Sequence, residues 1–296
     1  MTPDGRKFVR RIALLAVGVI LIEANSLGEL NMPPTSPPAQ EGIVKLTDSN
    51  IQYFSQGQGK PIVLLPFGGL TVGYMADLSQ RLADAGYRVI RINFRGSGKS
   101  TGSGEGITLH TLAQDVAGVI EALNLGPVNV GGHAFGNRVA RTLAADRPEI
   151  VQSVILFAAG GKVPPKPPGE HALQTIFNPA STDADILKQM KYMVGDPAEI
   201  PIAWQAIKPS RAPEVAGLQK TAMNNTPLKD WWAPPGRMKY LILQGTDDQI
   251  ALPENGELLK EELGARATLV SFPGAGHLLL VTDPKKVVAA VVSFLQ

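Results

Sequence analysis

Two stretches of this chain hold side chains capable of acid–base chemistry, and a third has the frame for nucleophilic chemistry without the reactive atom. Leu241-Ile242-Leu243-Gln244-Gly245-Thr246-Asp247-Asp248 is an apolar run ending in a turn with two carboxylates, and Ser271-Phe272-Pro273-Gly274-Ala275-Gly276-His277 puts an imidazole in a glycine-flanked loop. A carboxylate at a strand's C-terminal end can accept an imidazole N–H and fix its tautomer, leaving the other ring nitrogen to take a proton from a hydroxyl or from water. Either aspartate could equally close an Asx-type turn. The third stretch is Val128-Asn129-Val130-Gly131-Gly132-His133-Ala134-Phe135-Gly136-Asn137, an apolar strand passing through a tight glycine turn into a helical pattern. This is the frame of a nucleophile elbow, G-x-S-x-G, with a methyl group where the elbow presents a hydroxyl.

Alanine cannot attack a carbonyl or hold an acyl group, which closes the acyl-enzyme route at position 134. In a serine protease, loss of the serine costs on the order of 10⁶ in turnover, while oxyanion donors and binding still leave roughly 10³ to 10⁴ over water. The backbone N–H of Phe135, directly after the turn, is such a donor by elbow geometry alone. Of the four histidines, His133 is expected to pack behind the turn as architecture, and His110, at a helix start, to cap or face solvent. Cysteine is absent, which excludes disulfides, thiolate zinc sites and a cysteine nucleophile. No His/Asp/Glu cluster has metal-ligand spacing, so neither a metal site nor a cofactor is expected.

The elements that must position these groups read as alternating strands and helices. Ile43 to Leu46 and Ile51 to Phe54 form a short antiparallel pair. Pro61-Ile62-Val63-Leu64-Leu65 is an apolar run of the kind buried on both faces of a parallel sheet. Further strands are expected at Arg88 to Ile92, Val128 to Val130, Ser153 to Phe157, Tyr240 to Leu243 and Ala267 to Val270. Leu109 to Leu123 has helical periodicity with Thr108 as N-cap, and a last helix runs from Val287 to Leu295 behind Pro284. Strands separated by helices imply an α/β fold with a doubly wound, mostly parallel sheet.

With 296 residues, 44% hydrophobic and 18% charged, the chain can bury a sizeable core. A net charge of +2 gives no electrostatic case for nucleic acid. Arg6, Lys7, Arg10 and Arg11 precede the apolar run Ile12 to Ile22, too short to span a bilayer comfortably and suited to a secretory h-region. Residues 1–25 are therefore expected to be an export signal, giving a periplasmic or secreted protein, or, if uncleaved, a membrane anchor. Residues 26–41, with Pro33, Pro34, Pro37 and Pro38, read as a stiff linker, and the folded domain is expected from about residue 42, as 42–161 and 238–296.

The interval between Phe157 and Tyr240 is rich in proline, holds all three tryptophans and is longer than a crossover requires. Residues 162–237 are expected to form an inserted lid of short helices, which would exclude water and shape a pocket. Trp204, Trp231 and Trp232, with Phe177 and Met190, are candidates to line it against an apolar small molecule; the alternative is that they form the lid's own small core.

In order along the chain, Pro66-Phe67-Gly68-Gly69 after the third strand, Asn93-Phe94-Arg95-Gly96-Ser97-Gly98-Lys99-Ser100, the turn around Ala134, and the late acid and histidine together resemble the α/β-hydrolase family from Gly42 to Gln296. The resemblance implies Asp248, rather than Asp247, as the catalytic carboxylate and His277 as the base. It places an oxyanion loop at 66–69, with the N–H of Phe67 as the second donor beside that of Phe135. Phe67 departs from the commoner histidine-glycine pair there, and Ala134 departs at the nucleophile. Three readings stay open: a serine replaced by alanine; Asp248 and His277 acting on water directly; and ligand or partner binding without turnover. The retained acid and base favour hydrolysis of a small carbonyl compound such as an ester, lactone or amide.

Overall fold

The computed structural model describes residues 36–296. The expected export segment or anchor at 1–25 lies outside them. Residues 36–41 dock on the domain rather than linking to it: the Ser36 N–H donates to Asp84 Oδ1 at 2.9 Å, Gln56 Nε2 donates to the Pro37 carbonyl at 3.1 Å, and Gln40 and Glu41 are already in the first strand. The ordered domain thus starts earlier than expected, because two glutamines satisfy carbonyls of the proline-rich stretch.

The elements run β1 (Gln40–Lys45), β2 (Ser49–Gln56), β3 (Lys60–Leu65), α1 (Ala76–Asp84), β4 (Tyr87–Ile92), β5 (Thr101–Gly102), α2 (Leu109–Ala122), β6 (Val128–His133), α3 (Phe135–Asp146) and β7 (Val151–Phe157). A helical excursion follows with α4 (Pro167–Ile176), α5 (Asp183–Gln189), α6 (Ile200–Ile207) and α7 (Ala216–Asn224). The chain then completes the sheet with β8 (Lys239–Gly245), α8 (Pro253–Leu263), β9 (Ala267–Phe272), α9 (Leu279–Thr282) and α10 (Pro284–Leu295). Among the described residues the sheet has nine strands, in the order β1-β2-β4-β3-β6-β7-β8-β9 with β5 beside β2. Pairing is antiparallel for β1–β2, β2–β4 and β2–β5 and parallel from β4 through to β9.

Strand alternation divides the core in two. Val63 and Leu65 face the layer of α2, α3 and α8, while Ile62 and Leu64 face that of α1, α9 and α10; Tyr240 and Ile242 divide from Leu241 and Leu243 in the same way. A sheet covered on both faces by helices is the doubly wound arrangement. The chain runs from β3 through α1 to β4 on one side of it, and from β4 through α2 to β6 on the other, so a topological switch point lies between β3 and β6, where such sheets open a crevice at the strands' C-terminal ends. Thr108 caps α2 by accepting the Thr111 N–H at 3.1 Å.

The excursion has no core of its own. Ile176, Ile186, Met190, Ala203 and Ile207 join the cluster on the α1 face, whereas Ala222, Trp231 and Trp232 join the other. It is hooked onto the loop after β3 by Thr71 N–H to Ser210 O and Ala212 N–H to Gly69 O, both 2.8 Å. On the far side, Leu278 N–H donates to Met193 O at 3.0 Å. There Gly195 lies so close to the loop before α9 that a Cβ on it would stand 1.6 Å from the Gly274 oxygen.

Candidate active site

The turn between β6 and α3 is held in a conformation that alanine rarely adopts, φ 48° and ψ −103° at Ala134. Such backbone stores about 1–3 kcal/mol and persists only when its surroundings over-determine it. They do so here. The Ala134 N–H donates to Phe157 O at 3.0 Å, and Asn137 Nδ2 donates to Ala158 O at 3.0 Å. Both flanking glycines are required: a Cβ on Gly132 would fall 2.3 Å from the Gly136 carbonyl carbon, and one on Gly136 would fall 2.5 Å from Leu65 O.

His277 and Asp248 come together beneath the same strand ends. His277 Nδ1 lies 2.9 Å from Asp248 Oδ2, and both side chains are fully buried. The other carboxylate oxygen accepts the N–H groups of Ile250 and Ala251 at 2.8 Å each, which fixes its orientation toward the ring. The ring therefore carries its proton on Nδ1 and presents a bare Nε2, which is buried and has no partner among the described residues. Asp247 is exposed, and its carboxylate accepts from Thr246 Oγ1 at 2.9 Å.

His133 is fully buried and uses both nitrogens. A carbonyl can only accept, so Nε2, 2.9 Å from His277 O, carries the proton; Nδ1 then accepts the Tyr74 hydroxyl at 2.8 Å. The Tyr74 oxygen in turn accepts the Phe67 N–H at 2.9 Å. This chain keeps His133 neutral, and burial first, with His277 second, holds its pKa well below the usual histidine value. It also ties the loop after β3 to the main chain of His277. His110, by contrast, is half-exposed and bound to Asp146 at 2.7 Å.

That same hydrogen bond corrects the expectation for Phe67. Its N–H is consumed by Tyr74, because residues 72–75 fold back under the loop, and it is not free to meet a ligand oxygen. The free group is one residue on, where the Gly68 N–H finds no acceptor among the described residues. The Phe135 N–H, first in α3, has no acceptor within the helix. The Phe67 ring lies edge-on to His277, 4.9 Å between centroids, and to Phe177 at 5.2 Å. The Phe135 ring turns into the opposite core against Phe94 at 5.6 Å. Gly68 was signalled by the glycine pair after an apolar strand; nothing in the spacing of Tyr74 announced it.

The tryptophans separate. Trp204 and Phe177 pack partly buried against the cluster that contains Ala134, and Met190 is buried within it. Trp231 and Trp232 lie in the cluster across the sheet and do not meet Ala134 there. The reason is Arg141 of α3, fully buried with no carboxylate partner among the described residues: its guanidinium stands over Trp231 at 4.6 Å and Trp232 at 5.1 Å. It donates to the carbonyls of Asn137, Trp232 and Gly160 and to Asn137 Oδ1. The two rings are thus the sides of a cation site at the root of the excursion, and the expectation that they line a ligand pocket with Trp204 does not hold. The turn after β4 is likewise a brace, with Arg95 paired bidentately to Asp115 at 2.7 and 2.8 Å and Asn93 Oδ1 accepting the Val72 N–H at 2.8 Å.

Comparison with known proteins agrees with this architecture. A non-heme chloroperoxidase of Streptomyces lividans is 28% identical over 292 residues, covering 86% of this chain and 99% of that protein. BpoC of Mycobacterium tuberculosis (strain ATCC 25618 / H37Rv), named for non-heme bromoperoxidase, is 34% identical over 115 residues, and the match spans 38% of this chain and only 44% of BpoC. Among solved structures, an esterase from Exiguobacterium antarcticum superposes with a TM-score of 0.69 at 22% identity, covering 83% of this chain and 95% of that one, a likeness of fold. The family description "Alpha/beta hydrolase family" matches residues 62–291, and with the sheet order, the strained turn and the buried acid–base pair it leads to one conclusion: the chain belongs to the alpha/beta hydrolase family.

Proposed function

We propose that the chain binds a small carbonyl compound, an ester, lactone or amide, between Ala134 and the helical excursion, and hydrolyses it with water in place of a serine. His277 Nε2 takes a proton from a water molecule as that water's oxygen attacks the carbonyl carbon. The oxygen that gains negative charge is met by the N–H groups of Phe135 and Gly68, and the imidazolium returns its proton to the leaving alkoxide or amine. Asp248 holds the ring in the required tautomer and stabilises its charged form.

One observation carries this reading. A buried imidazole nitrogen left without a partner costs about 1–3 kcal/mol, and here it is backed by a fully bonded carboxylate. Relatives named as an esterase and as hydrolases, such as 2-hydroxy-6-oxo-6-phenylhexa-2,4-dienoate hydrolase of Comamonas testosteroni at 27% identity over 271 residues, support a small carbonyl substrate. Residues 162–237 serve as the lid, since His277 and Ala134 are only 1% and 8% exposed and a ligand must part that cover. The second reading, ligand binding without turnover, is favoured by the methyl at 134 alone. Residues 1–25 direct export.

Hydrolysis of a p-nitrophenyl ester by the chain itself, by Ala134→Ser and by His277→Ala separates these. Activity in the parent that is lost in His277→Ala supports the water route, and Ala134→Ser should raise kcat by up to about 10⁶-fold. Activity only in Ala134→Ser marks a silenced serine hydrolase. No activity in any form leaves binding as the function, and stoichiometric labelling of the parent by a fluorophosphonate on a serine would overturn this account of position 134.

A further inference from the structure

Gln219 of α7 is only 3% exposed, and only half of its amide is used. Its Oε1 accepts the Gly69 N–H at 2.7 Å, whereas Nε2 is buried and has no acceptor among the described residues. A backbone N–H requires an oxygen, so that bond fixes which end of the amide faces Gly69 and turns the nitrogen away from it. A primary amide with buried, unpaired N–H groups is destabilising. A methionine or leucine would remove those N–H groups, but it would also leave the Gly69 N–H without its acceptor.

The position of the amide says what it is for. A Cβ built on Gly68 would stand 3.2 Å from Gln219 Oε1 and 3.3 Å from Phe135 Cβ, so the glutamine head, Gly68 and the first residue of α3 meet at one point. Each of these three neighbours carries one donor without an acceptor among the described residues: the Gly68 N–H of the loop after β3, the Phe135 N–H at the start of α3, and Gln219 Nε2 of the excursion. Nothing among the described residues accepts from them. An oxygen that gains negative charge is the partner that such a convergence of donors suits.

We infer that Gln219 Nε2 is a third donor to the carbonyl oxygen of the bound acyl compound, supplied by the excursion rather than by the strand ends. This rests on the carbonyl-binding reading above and adds to it: the oxygen pocket is complete only while α7 lies on the loop, and compounds that do not bring an oxygen to this point leave the amide unpaired. The rival role is a plain structural pin, in which the Gly69 N–H bond alone matters.

Two measurements divide these roles. In ¹⁵N–¹H spectra of the full chain, titration with 1,1,1-trifluoro-2-butanone as a carbonyl probe should shift one Gln219 side-chain N–H resonance together with the Gly68 and Phe135 amides. Shifts at the two backbone amides with Gln219 unmoved overturn the inference and leave the reading beneath it standing; no shift at any of the three removes both. In the Ala134→Ser background, Gln219→Glu keeps the acceptor for Gly69 and puts a carboxylate where the donor stood, so kcat for p-nitrophenyl acetate should fall about 10²-fold or more with KM little changed. Unchanged kcat, or an effect confined to KM, overturns the assignment, and if Ala134→Ser is itself inert the spectra decide.

Discussion

Ala134 is asked to hold a backbone shape that glycine accepts without strain, and it has no hydroxyl to justify that shape chemically. Ala134→Gly should therefore stabilise the fold, by about 1 kcal/mol once the added freedom of the unfolded chain is set against the relieved strain, read as a higher urea midpoint with an unchanged slope. His133 makes an opposite demand, for neutrality. Its pKa is depressed in the fold, so below about pH 6.5 the unfolded chain takes up a proton that the folded chain refuses, and stability falls with pH. The loss should reach up to about 1.4 kcal/mol per pH unit between about 6.5 and the folded value. Denaturation at about pH 7.5 and about pH 5.5 checks this, and His133→Gln should flatten the dependence. The strain at 134 and the neighbouring glycines were legible in the G-x-x-x-G spacing. The relay from Phe67 through Tyr74 to His133 was not, because it joins residues by depth in the core and not by any period along the chain.

Arg141 ties one element to two others. It sits on α3, four residues past Asn137, and its guanidinium bonds the carbonyl of Gly160, where the excursion leaves the sheet, and that of Trp232, where it returns. Arg141→Ala would orphan those acceptors and open a gap between two indoles, a loss of about 3 kcal/mol; Arg141→Lys should recover little of it, since an ammonium cannot fork to several carbonyls while lying flat on both rings. Chemical denaturation of the two variants measures this. Sequence periodicity found the strands and α2 because their apolar residues must face the layers on either side of the sheet. It could not assign the tryptophans, since an aromatic side chain reads alike whether it touches a ligand or, as Trp232 does, stacks on a cation 91 residues away in the chain.

At the scale of the whole molecule, the sheet has two cores and the excursion feeds both, so the part expected to move is also part of what makes the domain stable. One half of it, with Ile176, Met190 and Trp204, lies on the side of Ala134, and the other, with Trp231 and Trp232, lies across the sheet. If residues 1–25 direct export, alkaline phosphatase fused after residue 41 should be active in a bacterial host and lose that activity when Arg6, Lys7, Arg10 and Arg11 are replaced by glutamate; fractionation of the full chain then distinguishes release from membrane retention.

The approach of Gly195 to Gly274 bears on how freely this scaffold can be remodelled. A side chain at 195 would have to displace the peptide three residues before His277, so a segment that looks peripheral tolerates no more substitution than the centre of the sheet. Exchanging this cover for one borrowed from another family member would succeed only if the donor segment also arrived bare at that single contact; otherwise the graft would unseat the imidazole while leaving every strand in place.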